Sequence, residues 1–234
     1  MVRVKICGIR RAEDARVAVE AGADALGFNF WQGGPRYIAP REAAAIIAEI
    51  PQAAGPKDVW TVGVFVDEQP ERVLEIARET GVRVLQFHGS ESPQYWERFG
   101  TFPRIKAFKV GAGFDPAGMS RYRSAAAFLL DAAVNGMHGG TGRSFDWSLA
   151  EKAKAYGNIL LAGGLTVENV GEAVRRLQPW GVDVASGVES EPGKKDPRRI
   201  REFIQAVRDA EKELAEDSAA IHAEPGSKLS KARR

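Results

Sequence analysis

The sequence predicts one α/β domain built as a (β/α)8 (TIM) barrel. Three observations lead there. Short β-branched runs alternate with longer amphipathic stretches through most of the chain, the pattern of βαβ units around a parallel sheet. Eight such runs fit into 234 residues, and an eight-fold barrel takes about 250. The turn after the first run reads CGIRRAED, where an open doubly wound sheet would carry a G-x-G-x-x-G phosphate loop.

The first strand is VRVKIC (2–7), followed by the helical RAEDARVAVEAG (11–22). ADALGFNF (23–30) precedes PREAAAIIAEI (40–50), whose proline opens a helix. VWTVGVFV (59–66) leads to QPERVLEIARETG (69–81), which ends on a glycine stop. RVLQFH (83–88) precedes SPQYWERF (92–99). RIKAFKV (104–110) is followed by DPAGMSRYRS (115–124), the weakest helical pattern in the chain. AAAFLLD (125–131) precedes DWSLAEKAKAYG (146–157), and NILLAGG (158–164) precedes TVENVGEAVRRL (166–177). VDVAS (182–186) leads to the closing helix DPRRIREFIQAVRDAEKEL (196–214). The barrel is expected over residues 1–215. Residues 216–234 are polar, lack aromatics and contain Pro, Gly and Ser, so they are expected to be disordered.

Composition narrows the function classes. The formal net charge is +2, which points away from nucleic acid or an acidic membrane surface as partner. No apolar run reaches the roughly 18 residues that a bilayer requires, and the short apolar start is broken by Arg3 and Lys5. One cysteine excludes an internal disulfide and a multi-cysteine zinc site. The expected location is the cytoplasm.

Strand parity then places the polar groups. Val2, Val4 and Ile6 share one side of the first strand, and Lys5 and Cys7 share the other. If the apolar set faces the helices, Lys5 and Cys7 point inward, with Cys7 at the C-terminal mouth where barrel chemistry resides. Cys7 taken alone reads more readily as a packed thiol. Asp131 ends FLLD and Asp183 interrupts GVDVAS. A carboxylate in an apolar strand needs a partner or a task, although Asp131 also suits a loop or helix cap. Gln86 and His88 share a side; His88 before a glycine reads as a loop residue or a support behind the site rather than a catalyst. Strands one and six stand three steps apart in the ring, so Cys7 and Asp131 face a ligand from different sides, as proton-transfer isomerisation requires.

Two glycine turns form a candidate anion site. LAGGLTVENV (161–170) and SGVESEPGKKD (186–196) follow the seventh and eighth strands, where barrels often hold phosphate. Gly163, Gly164, Ser186 and Gly187 are the residues concerned. Arg36, in GGPRYI (33–38), is either a surface arginine or a bidentate grip for a carboxylate at the mouth. GGTGRSFDW (139–147) is a candidate lid; it lacks the GK[ST] of a P-loop. His138 and His222 receive no role.

These motifs, taken in order, resemble the phosphoribosylanthranilate isomerases of tryptophan biosynthesis. KICGI (5–9), GFNF and GGPRYI (27–38), VGVFVD (62–67), QFHG (86–89), LLDA and GGTGRSFDW (129–147), LAGGLTVENV (161–170), and GVDVASGVES with PGKKD (181–196) carry the likeness. It runs from residue 2 to about 210. It implies an Amadori rearrangement of N-(5-phosphoribosyl)anthranilate, an aldose–ketose isomerisation without metal or organic cofactor. Cys7 would be the general base, Asp131 the general acid and Arg36 the ligand of the anthranilate carboxylate. Gly163, Gly164, Ser186 and Gly187 would hold the phosphate, and Asp183 would support the site. The partner implied is this small phosphosugar, with the protein a monomer or homodimer. Lys5 is a candidate for lowering the Cys7 pKa. Two departures stand out: WQGGPRY lacks the serine that the family commonly has before Pro-Arg, and QFHG replaces the usual QLHG. A histidine-pathway isomerase and a non-catalytic phosphosugar-binding barrel are the rivals. KICGI and the absence of half-to-half repetition weigh against the first; the presence of both Cys7 and Asp131 weighs against the second.

Overall fold

A computed structural model describes residues 1–50, 59–111, 113–132 and 147–223. Eight parallel strands close into a barrel in sequence order: β1 (Arg3–Cys7), β2 (Ala25–Asn29), β3 (Trp60–Phe65), β4 (Val84–Phe87), β5 (Arg104–Val110), β6 (Ala127–Ala132), β7 (Ile159–Ala162) and β8 (Gly181–Val184). The ring closes where β1 pairs with β8, Lys5 opposite Asp183. Every strand expected from the sequence is present, within two residues at each end.

Outside the ring lie α1 (Ala12–Glu20), α2 (Pro40–Glu49), α3 (Pro70–Thr80), α4 (Pro93–Glu97), α5 (Trp147–Ala153), α6 (Val167–Leu177) and α7 (Pro197–Ala223). Proline opens α2, α3 and α4 because the first turn has no use for its missing N–H. Gly81 ends α3 in the left-handed region at φ 72°. The weak pattern after β5 forms only a 3₁₀ turn, Pro116–Arg121, capped by the Asp115 side chain.

Strand parity divides the core into two layers. Val4, Ile6, Leu26, Phe28, Leu85, Phe87, Leu130 and Val182 point outward and pack against the helices. Ala25, Val62, Val84, Ile105, Ala107, Leu129, Leu160 and Ala162 fill the barrel. Each large apolar side chain so buried contributes about 1.5–3 kcal/mol. The apolar filling stops short of the C-terminal mouth, where polar residues take over.

The expected disorder from residue 216 needs correction, because α7 continues to Ala223. An anchored helix extends at little cost, since nucleation is already complete, and the segment EDSAAIHA is alanine-rich. Glu213 pairs with Arg175 of α6 at 2.9 Å, and Lys212 with Glu216 one turn on at 3.7 Å. Residues 224–234 lie outside the described residues. So do His138 and the GGTGRSFD part of the candidate lid. No helix among the described residues is long and apolar enough to cross a membrane.

Candidate active site

A cavity of about 290 Å³ opens at the C-terminal end of the barrel, lined by Cys7, Arg36, Gln86, His88, Asp131, Gly163, Gly164, Asp183 and Ser186 among others. Another, of about 300 Å³, lies at the opposite end among Arg3, Asp24, Trp60 and Trp180. Similar size does not make them equal candidates: the first holds a thiol and a carboxylate on strand ends, and the second lies at the face where conservation of barrels serves stability rather than chemistry. Lys5 lines the second.

Lys5 and Cys7 point inward as parity requires. Lys5 is 2% exposed, and its Nζ donates to Asp183 Oδ1 at 2.7 Å. Burial works against the ammonium, but Asp183 and Cys7 outweigh it and the Lys5 pKa is raised. Burial pushes the Cys7 thiol up as well. Lys5 pulls it down without offsetting that rise, and Asp183 adds to it. Lys5 therefore acts in the expected direction, yet its charge is shared with a carboxylate.

Room for the thiol comes from β2. Gly27 stands opposite Cys7 in the ladder. A Cβ there would lie 2.8 Å from Cys7 Sγ and 3.1 Å from Lys5 Nζ. No stretch of sequence signals this, because the constraint belongs to a neighbouring strand.

Across the ring, Asp131 Oδ2 meets His88 Nε2 at 3.3 Å, and Gln86 Nε2 meets His88 Nδ1 at 3.3 Å. In this arrangement the Gln86 amide nitrogen offers hydrogens only, so Nδ1 accepts and Nε2 carries the hydrogen donated to Asp131. That hydrogen bond holds the Asp131 carboxyl below its ordinary range despite partial burial. His88, read from sequence as a loop or supporting residue, thus lies at the site beside Asp131. Its loop rests on a buried ion pair: Lys106 Nζ to Glu91 Oε2 at 2.7 Å, with both side chains under 4% exposed. Glu91 also accepts from the backbone N–H of Asp67 and Gly89.

The two glycine loops meet at the mouth. Gly163 and Gly164 adopt φ of 87° and 71°, which turns consecutive peptides toward the cavity at no steric cost. Ser186 faces them. Gly187 is not on the wall; a Cβ there would collide with the Leu165 carbonyl oxygen. Its role is to let the loops after β7 and β8 touch.

Arg36 reaches the mouth from the loop after β2, its chain lying on Gly8. Its Nε and Nη2 donate to the two oxygens of Glu189, each at 2.8 Å. The Gly33–Gly34 pair has a local cause: the Trp31 ring covers both, and a Cβ would lie 2.5 Å from it at Gly33 and 3.2 Å at Gly34. Among the described residues, no group of three or more His, Cys, Asp or Glu is arranged to hold a metal.

A thiol, a histidine-paired carboxylate, a guanidinium and a glycine-lined pocket around one cavity suit acid–base work on an anionic phosphosugar. The family model described as N-(5'-phosphoribosyl)anthranilate isomerase matches residues 4–206. The chain belongs to that family. It is an isomerase of the aldose–ketose type, catalysing the Amadori rearrangement of N-(5-phosphoribosyl)anthranilate to 1-(2-carboxyphenylamino)-1-deoxyribulose 5-phosphate in tryptophan biosynthesis. The family relative from Pelobacter propionicus is 46% identical over 214 residues, 91% of this chain and 99% of its own. That from Geobacter sulfurreducens is 48% identical over 210 residues, 89% and 99% respectively. The crystal structure of the Thermotoga maritima isomerase is 41% identical with a TM-score of 0.79, over 89% of this chain and all of that one. A second, 40% identical with a TM-score of 0.78, contains the reduced product 1-(o-carboxyphenylamino)-1-deoxyribulose 5-phosphate and covers the same shares.

Proposed function

We propose that Cys7 is the general base and Asp131 the general acid of this rearrangement. The observation that carries the reading is their placement on β1 and β6, facing one cavity from different sides. Asp131 donates its proton to the furanose ring oxygen. The C1′–O bond breaks, and the amine lone pair forms the C1′=N bond of a cationic imine. Cys7 thiolate then removes the C2′ proton; the electrons of that C–H bond form C1′=C2′ and neutralise the nitrogen. The resulting enolamine tautomerises, its C2′ hydroxyl losing a proton and C1′ gaining one, to the ketone.

Arg36 binds the anthranilate carboxylate. Gly163, Gly164 and Ser186 bind the phosphate through their turns, with Gly187 supporting them by loop contact. Asp183 holds Lys5 beside the thiol. Positioned acid–base groups contribute about 10²- to 10⁴-fold each. Cys7→Ala and Asp131→Asn are therefore expected to lower kcat by that order, read as loss of the fall in anthranilate-type fluorescence on substrate made in situ. Full activity in either variant removes that residue from the mechanism.

The proposed compartment is the cytoplasm, supported by a lone thiol that must stay reduced to act as a base. The proposed assembly is a monomer or homodimer; a Thermotoga maritima relative, 38% identical, is described as dimeric. Light scattering of the purified chain distinguishes the two.

A further inference from the structure

Beyond β8 the chain forms a small hairpin of β9 (Glu189–Glu191) and β10 (Lys194–Lys195), with Lys195 opposite Glu189. Both are buried, Glu189 at 7% exposure and Lys195 at 1%. Neither reacts in the mechanism above; Glu189 binds Arg36, and Lys195 binds Glu189. Glu189 grips the guanidinium through Nε and Nη2. Lys195 Nζ donates to Glu189 Oε1 at 2.9 Å and to the Ala185 carbonyl at 2.9 Å.

The hairpin is anchored from three sides. Arg199 of α7 donates to the Glu189 carbonyl at 2.8 Å. Arg11, which ion-pairs with the buried Asp14, donates to the Lys195 carbonyl at 3.4 Å. Gly193, at φ 81°, turns the hairpin against the arginine loop; a Cβ there would lie 2.8 Å from the Pro35 carbonyl. A buried carboxylate with two cations on it, mounted on a braced hairpin, is more than surface charge needs.

A guanidinium has five N–H donors in a rigid plane. Glu189 takes one edge, which fixes that plane and leaves the Nη1/Nη2 edge for a second carboxylate. Among the described residues nothing hydrogen-bonds Nη1. Arg36, Lys195 and Glu189 together carry one positive charge in excess. Burial raises the Glu189 carboxyl, but the hydrogen bonds from Arg36 and Lys195 more than offset it and keep it ionised.

We propose that Glu189 and Lys195 are positioning residues for carboxylate recognition: they lock the Arg36 guanidinium so that its outer edge meets the aryl carboxylate of the substrate, and they leave the cluster one positive charge for it to neutralise. This rests on the assignment of Arg36 to that carboxylate.

The test compares two ligands, the reduced carboxyphenylamino product and the same molecule lacking the carboxyl group. The ratio of their affinities isolates carboxylate recognition from phosphate and sugar binding. Glu189→Gln removes the clamp, and Lys195→Met, a near-isosteric change, removes the excess charge. Each is expected to lower the ratio by about tenfold or more, on the scale of breaking a buried charged contact, with a rise in KM exceeding any fall in kcat. If both variants weaken the two ligands equally, their role is general packing and the proposal fails. If both keep the wild-type ratio, it also fails, and Arg36→Met says where. Loss of the ratio in Arg36→Met then overturns the positioning role alone. Its retention overturns the carboxylate assignment as well.

Discussion

Gly27→Ala tests how closely Cys7, the proposed base, is held. The new methyl would lie 2.8 Å from Cys7 Sγ, where ordinary contact begins at 3.4 Å. The sulfur must therefore retreat by at least about 0.6 Å. Lys5 Nζ must move as well, from 3.1 Å, but Asp183 holds it at 2.7 Å. Backbone movement is equally constrained, since Gly27 pairs with Cys7 on one side and Val62 on the other. Overpacking of this kind costs about 1–3 kcal/mol, or a fall of about 2–12 °C in Tm for a chain of this size. A misplacement of about 1 Å costs roughly 10²-fold in rate, so a shift of this size predicts a kcat roughly tenfold to a hundredfold lower. The assay is the fall in anthranilate-type fluorescence, run beside a thermal melt. Gly118→Ala, with nothing within 4 Å of the added methyl, serves as the neutral control. A folded Gly27→Ala protein within threefold of the wild-type rate would refute the argument that the sulfur is held where proton transfer needs it.

Three further outcomes are expected. Lys5→Met removes the cation that pulls the Cys7 pKa down, so alkylation of this lone thiol by iodoacetamide shifts to higher pH; an unmoved profile would deny Lys5 any influence on the base. The free enzyme favours thiol and carboxylate, because the Cys7 pKa is raised and that of Asp131 lowered. The proposed mechanism uses thiolate and carboxylic acid. Between the two pKa values each unit of pH multiplies one form by ten and divides the other by ten. kcat/KM is thus expected to be flat from about pH 5.5 to 8, and a single limb rising tenfold per unit across that range would contradict Asp131 as the acid. Glu91→Gln leaves Lys106 buried without its counter-ion. The expected loss is about 3–5 kcal/mol, seen as a Tm lower by about 6–20 °C, and a Tm within 2 °C of wild type would mean that the ion pair contributes little.

The parts of the fold legible in the sequence were those governed by local period and punctuation. Alternation in VRVKIC placed Lys5 and Cys7 inside, and the prolines at residues 40, 70 and 93 marked true helix starts. Cys7 and Asp131 were legible because strand order fixes where strand ends meet. What escaped depends on distant partners. His88 acquires meaning only when β4 and β6 bring it to Asp131. Glu189 lies 153 residues from Arg36, so no spacing rule joins them. Gly27 is constrained by the side chains of β1, a cross-strand fact that no window along β2 contains. The end of α7 escapes for the opposite reason: local polarity reads as disorder, although a long helix carries its order forward from an anchored start.

The contact between Gly187 and Leu165 has an evolutionary consequence. Two loops separated by a helix and a strand touch backbone to backbone, and no side chain fits between them. Substitutions in the two loops are therefore expected to couple. A bulkier residue in one loop requires a matching retreat in the other, so single substitutions are trapped while paired ones pass. Anyone redesigning the phosphate pocket proposed for this barrel should exchange residues 163–166 and 185–188 as one cassette.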